Sequence, residues 1–517
     1  LRFPKFIGQS YTLQSVNVDA QRSVNLYPEV NEAGSGKEGE VLALAATPGI
    51  TEIVDVGTGP IRCIHVTPSG IILVMSNATL YKLSYNTVTE AWTSVEVGTM
   101  SVTNSVVTAT SSIGTQEMIS GVPFTEELVV FVGGDEEYLW RRYNNSGTIT
   151  EIFDDFSDLT YVGAFNLEPY DDSLGGSHVA LVDGYRIYNK LETGKFYVSD
   201  LDSPTVDPLS FFTAEGDPDN LLSVVANYRD LWFFGERTIE IWQSSGNADA
   251  PFIRASGGFI EQGLFARFSA TPLQGSLVWL GRNKEGRGVV YQSQGYNPQR
   301  VSTHALELAI NSYAAPETAV AYAYQEGGHF FYVLNFDEAT WVYDLSTRMW
   351  HERARLDRGA LARHRAQVYG FAPTVLGGIH LVGDYENGKV YQLSQNIYSD
   401  NGEEIIRMRT APHVSAGLKR VKHKSFQLDM ETGVGLDEVE DTDENRNPQI
   451  MLDWSDDGGH TWSNEHWRAA GAIGQYRTRA IWRALGFSRD RVYRVRISTK
   501  TKITFIGAEL DVEQAGS

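Results

Sequence analysis

The sequence is poor in three things: cysteine, long apolar runs and helical periodicity. One cysteine in 517 residues excludes an intrachain disulfide framework and any Cys-x-x-Cys metal knuckle. That residue, Cys63, lies in IRCIHV, an alternating strand pattern that reads as a buried structural thiol rather than a nucleophile. No stretch approaches the ~20 apolar residues that cross a bilayer as a helix. The opening LRFPKFIGQSYTL lacks the basic-then-apolar order of a signal peptide. It also lacks an initiating Met, so trimming before Leu1 stays open. Positive charge is scarce as well: 43 Lys and Arg stand against 65 Asp and Glu, a net charge of −22. Proteins that grip DNA through its phosphates are more often basic. This balance suits solubility, or a surface past which nucleic acid moves without sticking. Familiar catalytic signatures are missing too: no Gly-x-Ser-x-Gly, no His-Glu-x-x-His, no Walker sequence and no dinucleotide-binding glycine pattern.

What is present is strand. GIILVMSN, ELVVFVGG, HVALVDGYRIY, DLWFFGERTIEIW, SLVWLG, HFFYVLNF and IHLVGDY combine β-branched and aromatic residues with Gly, Asn and Asp at their ends. The nearest approach to a helix is ARLDRGALARHRAQV at 354–368. Residues 78–95, 340–354 and 388–402 share a scheme, with 194–211 a weaker relative: a strand ending in Tyr, a polar turn, then a strand carrying Trp or Tyr. That is how the outer hairpin of a propeller blade reads, at roughly 40–55 residues per blade. The expectation is an all-β chain with an extended N-terminal arm (1–54), a β-propeller of six or seven irregular blades (55–404) and a C-terminal β-sandwich-like domain (405–517). The last of these rests on strict alternation in SFQLDM, QIMLDWS, VYRVRIST and KITFIGAELDVE. The arm is polar and turn-rich, and must pack on something else to be ordered.

Candidate chemistry is thin. WSDDGGHTWS (454–463) carries Ser455, Asp457, Gly459, Thr461 and Trp462 in the Asp-box pattern, best known from sialidase-like propellers. Asp can bond its own backbone, Gly can take positive φ, and Trp can pack beneath a hairpin. Every position therefore has a folding role, and the box occurs once rather than in every blade. Asp154–Asp155 and Asp171–Asp172 have the residue type of glycosidase carboxylates but read as solvated turns. His460 and His466 flank Trp462 without metal-type company. LDEVEDTDENRNP (436–448) is an exposed acidic loop; Asp437, Glu438, Glu440, Asp441, Asp443 and Glu444 are hard oxygen ligands, yet the EF-hand spacing is absent. No cofactor or metal is implied. Nine basic residues between 477 and 502 oppose one acid, Asp490, and Arg494 and Arg496 share a strand face. Such a stripe suits an acidic neighbour, another subunit or phosphate, or else a simply solvated sheet face.

GERTIEIWQSSGNADAPFIRASGGFIEQGLFARFS (235–269) and SLVWLGRNKEGRGVVYQSQGYNPQRVSTHALELAI (276–310), with QRSVNLYPEV (21–30) and LAATPGI (44–50), resemble the phage stabilisation family of short-tailed phages. The resemblance covers most of residues 9–400 and is less diagnostic beyond. Members are packaged-DNA stabilisation proteins, or tail nozzle and hub proteins. The resemblance implies a structural role without catalytic residues. It implies a hexameric ring of this chain below the portal and its adaptor, a DNA channel closed by a needle or plug, and tailspikes or fibres attached nearby. Genomic DNA would pass without sequence-specific binding. On charge segregation alone, Asp135, Glu136 and Glu137, or the acids of 436–448, are candidates to line the channel, and Arg494 and Arg496 to meet a neighbouring subunit. A glycan-binding or glycan-cutting tail propeller and a kelch-like interaction module are the alternatives.

Overall fold

A computed structural model describes residues 2–515 apart from 31–40, 114–116, 120–121, 125, 135–136, 146–147, 156–175, 203–205, 208–210, 215, 217, 248–249, 283–285, 418, 438 and 441–442. Its architecture is a β-propeller joined to a β-sandwich. Among the described residues, seven four-stranded antiparallel blades form the propeller. Blade one is Ile61–Val66, Ile72–Ser76, Thr79–Asn86 and Ala91–Thr99. The inner strands of blades two to seven begin at Thr108, Val179, Leu221, Thr271, Val320 and Ala366. Each inner strand touches the next, and that of blade seven touches that of blade one, so the ring closes.

The ring explains the apolar runs of the sequence. The second strand of each blade is covered on both faces by neighbouring blades, so it carries an unbroken apolar run instead of alternation. Ile72–Ser76 (ILVMS) is buried throughout, and Asp230–Gly235 (DLWFFG) nearly so. The cores lie between blades: Trp232 and Trp279 meet between four and five, and Val74 packs with Leu381 between one and seven. Cys63 belongs to such a core, and burial pushes its thiol up to about 12.

The described residues of the N-terminal arm distribute over both parts of the molecule. Gly49–Asp55 pairs antiparallel with Lys389–Ser394 and supplies the fourth strand of blade seven, crossing the 54/55 division expected from sequence. Ala20–Val24 pairs in parallel with the outer strand of blade six at Val24–Glu352 and antiparallel with Arg407–Thr410 of the sandwich. One sheet therefore runs from blade six through the arm into Asp490–Ile497, Gln449–Ser455 and His466–Ala469. The facing sheet holds Leu26–Val30, Val41–Ala46, Thr504–Gln514, Val421–Met430 and Ala480–Arg483. Phe3, Phe6, Leu26 and Leu44 from the arm share the sandwich core with Phe426, Trp482, Tyr493 and Phe505. Burying each such side chain contributes about 2 kcal/mol, which is what orders a segment with no core of its own.

The helix expected nearest to 354–368 is absent. The stretch forms Met349–Asp357, Ala360–Arg363 and Ala366–Ala372, with Arg358 and Gly359 both at positive φ in the first hairpin. Cross-strand pairing outweighs the helical preference of Ala, Leu and Arg. The α-helix lies instead at His304–Ile310, where the Thr303 hydroxyl accepts from the Leu306 N–H.

Candidate functional site

A dense polar clasp forms where the arm holds propeller to sandwich. It is built from the arm segment QRSVNLYPEV. Arg22 donates through Nε to Glu352 Oε1 at 3.0 Å and through a terminal nitrogen to Oε2 at 2.5 Å, on the outer strand of blade six. Asn25, at φ 55°, donates from Nδ2 to Ala354 O of the propeller (2.8 Å) and to Ile406 O at the sandwich entrance (2.9 Å). Its Oδ1 accepts from the Ala354 N–H. Tyr27 lies edge-on to His329 and Phe331.

Two ionisable groups complete the clasp. His329 lies between Asp344 (Nδ1 to Oδ2, 2.7 Å) and Glu29 (Nε2 to Oε2, 3.1 Å). Burial works to lower its pKa, but the two carboxylates prevail and raise it. Arg409 of the sandwich is fully buried without a carboxylate in hydrogen-bond contact among the described residues. Its nitrogens donate to the carbonyls of Lys5, Phe6, Gln9 and Arg22 and to Ser23 Oγ and Gln21 Oε1. Burial pulls its pKa down to about 9. After the clasp, the TPG turn leads the chain into blade seven. A Cβ on Gly49 would collide with the carbonyl oxygens of Ile397 and Ser399.

The Asp-box sits on the sandwich. Ser455 Oγ donates to Asp457 Oδ1 (2.6 Å) and accepts from the Gly459 N–H (2.7 Å). Asp457 also accepts from the N–H groups of His460 and Thr461 and from the Thr461 hydroxyl. These bonds hold its carboxyl well below the usual range, the Ser455 and Thr461 hydroxyls having most effect. The hairpin rests against the arm, where a Cβ on Gly458 would strike Asn17. Trp462 carries the Arg494 guanidinium 3.8 Å from its ring centroid. His466 stacks on Trp454.

The basic stripe is largely engaged within the chain. Arg494 bonds both oxygens of Asp453 (3.0 and 2.5 Å), and Arg496 bonds Asp453 (2.9 Å) and Glu465 (2.6 Å). Arg491, buried, grips Asp456 through two nitrogens. In the acidic loop, Asp437, Glu440 and Glu444 are exposed, and Asp443 accepts from Asn445. Arg446 donates to the carbonyls of Asp437 and Val439. Glu137, a candidate channel acid by sequence, is 5% exposed in the single chain, and the Gly176 N–H points to its Oε1 at 3.4 Å. Asp135, Glu136, Glu438, Asp441, Asp171 and Asp172 lie outside the described residues, as do the side chains of Asp154 and Asp155. Among the described residues no group of three His, Cys, Asp or Glu forms a metal-ligand set. Sequence reasoning missed the clasp, although its signal was present in the QRxxNLYPE stretch.

Family models for bacteriophage P22 Gp10, β-propeller, and bacteriophage P22 Gp10, β-sandwich, match residues 3–398 and 406–513. The chain belongs to the bacteriophage P22 Gp10 family. Gp10-family membership makes it a structural protein of the phage tail. No curated protein matches it. Solved structures that resemble this Gp10-family chain do so loosely. The extracellular domain of the putative hybrid two-component system BT4673 of B. thetaiotaomicron is 11% identical over 75% of this chain, with a TM-score of 0.39. The match spans 45% of that domain, less than half its length. The WD40 domain of SCAP from fission yeast is 10% identical over 73% of this chain and 94% of its own, with a TM-score of 0.36. Kluyveromyces lactis Hsv2 is 12% identical over 64% and 97%, at 0.30.

Proposed function

We propose that this tail protein forms the nozzle or hub: a hexameric ring below the portal and adaptor that prolongs the DNA channel, helps retain packaged DNA, and carries the plug or needle and the tailspikes or fibres. The observation that supports the reading most directly is where the positive charge goes. Arg186, Arg353, Arg407, Arg409 and Arg491 are each 2% exposed or less, and Arg494 and Arg496 are tied to Asp453. Cations that bond inside the chain are not offered to phosphate, and because seven arginines and eight carboxylates are buried among the described residues, the acidic excess behind the net charge of −22 stays at the surface. DNA passing such a surface meets repulsion and few partners to release counterions against. The Asp-box gives no support to a glycan-cutting role, because its carboxylate is spent on the hairpin.

Reconstruction of intact particles by cryo-electron microscopy, with the tail averaged under its own symmetry, tests the reading. The expected result is a six-fold ring of this chain below the adaptor with a through-channel. Density confined to peripheral appendages would sink it. Within the ring, neutralising Asp437, Glu440, Asp443 and Glu444 together is expected to slow DNA ejection if these acids line the channel.

A further inference from the structure

The propeller axis holds a cavity of about 490 Å³ that the tail role leaves unexplained. It opens on the face where the inner strands begin and the second strands end. Blade entries and exits contribute Asn104, Arg267, Arg282, Asn335, Arg363 and Gln367. The volume is in the range of ligand pockets, ~300–1,000 Å³.

Its lining is rich in donors without acceptors. Asn335 is 2% exposed and Asn104 7%, and the Nδ2 of each has no partner among the described residues. At Asn335 the orientation is fixed from the other side: Oδ1 accepts from the Thr340 hydroxyl at 2.8 Å, and that hydroxyl accepts from the His364 N–H. The Nε atoms of Arg282 and Arg363 are likewise buried and unpaired. Arg363 is positioned by its stack on Tyr385, 3.9 Å from the ring centroid, and by Gln367 Oε1 at 3.1 Å; Arg282 lies over Phe265 at 4.8 Å. Neither Arg267 nor Arg282 has an ion-pair partner among the described residues, and burial lowers the pKa of Arg267. Three acids share the lining: Glu236, half-buried, and Glu317 and Asp337, exposed at the rim; among the described residues only Asp337 reaches one of these guanidiniums, Arg363 at 3.5 Å. Leaving a buried donor unpaired costs about 1–3 kcal/mol, more beside a charge, so a group that offers many acceptors at once is favoured here.

We propose that the axial cavity binds a compact multivalent oxyanion, of phosphate or polycarboxylate type, on Arg267, Arg282 and Arg363 with the amides of Asn104 and Asn335. Planar guanidiniums arranged around one space suit oxyanion recognition better than recognition of a neutral or cationic ligand.

The test is isothermal titration calorimetry on the full chain, with inorganic phosphate and citrate as separate probes at matched ionic strength. One-to-one saturable binding of at least one probe is expected, and which one binds separates phosphate from carboxylate chemistry. Arg267→Gln and Arg282→Gln should each weaken binding about tenfold, the scale of one charge-assisted hydrogen bond. Both change half-buried, unpaired side chains, and thermal unfolding checks that each variant is folded. Arg229→Gln, on an exposed ion pair elsewhere, should bind as the unaltered chain does. No saturable binding of either probe would mean that water fills the cavity and would overturn the proposal. Equal affinity in Arg267→Gln, Arg282→Gln and the unaltered chain would overturn it as well.

Discussion

Arg409 Nε lies 2.6 Å from the carbonyl oxygen of Phe6, joining residues 403 positions apart in the chain. The bond is one of six acceptors around a cation without a carboxylate in hydrogen-bond contact among the described residues. Replacing it by Met keeps the bulk and removes every donor. Breaking a buried network of this kind costs about 3–5 kcal/mol, so Arg409→Met should lower the urea midpoint and expose the first thirty residues to limited proteolysis. Unchanged protection of the arm would show that Arg409 is not what orders it.

His329 makes the clasp sensitive to pH. Its folded pKa is raised, by Asp344 and Glu29 against the opposing effect of burial. A raised pKa stabilises the fold below the ordinary histidine value of about 6.5. The contribution is lost as pH rises through the higher folded value. Urea midpoints compared between about pH 5.5 and 8.5 should therefore fall on the alkaline side, and Glu29→Gln should flatten that slope. An identical slope in the variant would place the titrating group elsewhere.

Asp457 behaves oppositely but locally. Its carboxyl is held low by donors from Ser455, Thr461 and His460, so what it contributes is present above the ordinary carboxylate range and lost as pH falls through the depressed value. Asp457→Ala should speed amide exchange at His460 and Thr461 while leaving the strands Gln449–Ser455 and Asp490–Ile497 protected. Loss of protection throughout the sandwich would make the box more than a turn.

Gly49 is the tight point where the arm enters blade seven. Alanine there forces a Cβ into the carbonyls of Ile397 and Ser399, and overpacking of this sort costs about 1–3 kcal/mol. The expected signature is faster unfolding, with amide exchange rising first along Gly49–Asp55 and Lys389–Ser394. Equal exchange in the variant and the unaltered chain would mean that the turn relaxes at no cost.

The propeller was legible because its second strands are covered on both faces, which leaves runs such as LWFF and ILVMS visible in one dimension. Blade number was harder to read, since no run marks where one blade stops and the next begins. The clasp was hidden for another reason. Asn25 bonds the backbone of Ala354 and Ile406, 329 and 381 residues away, and backbone partners leave no trace in residue type. The stretch 354–368 misled because Ala, Leu and Arg favour helix when isolated, and only the pairing of Ala354 with Arg363 and Leu356 with Leu361 makes them strand. In the other direction, Arg494 and Arg496 were conspicuous as a basic stripe, but their partner Asp453 stands on a neighbouring strand.

The threading of the arm also dictates an order of events at the ribosome. Gly49–Asp55 finds its partner only when Lys389–Ser394 has been made, and Val41–Ala46, already paired with Leu26–Val30, waits for Thr504–Gln514. The arm is thus made long before the strands that fix it, and those pairings span most of the sequence, the kind of topology that assembles slowly. Until Lys389–Ser394 has been made the nascent propeller is an open arc with an unpaired edge, and Thr504–Gln514 then acts as the lock that fixes the arm to the sandwich.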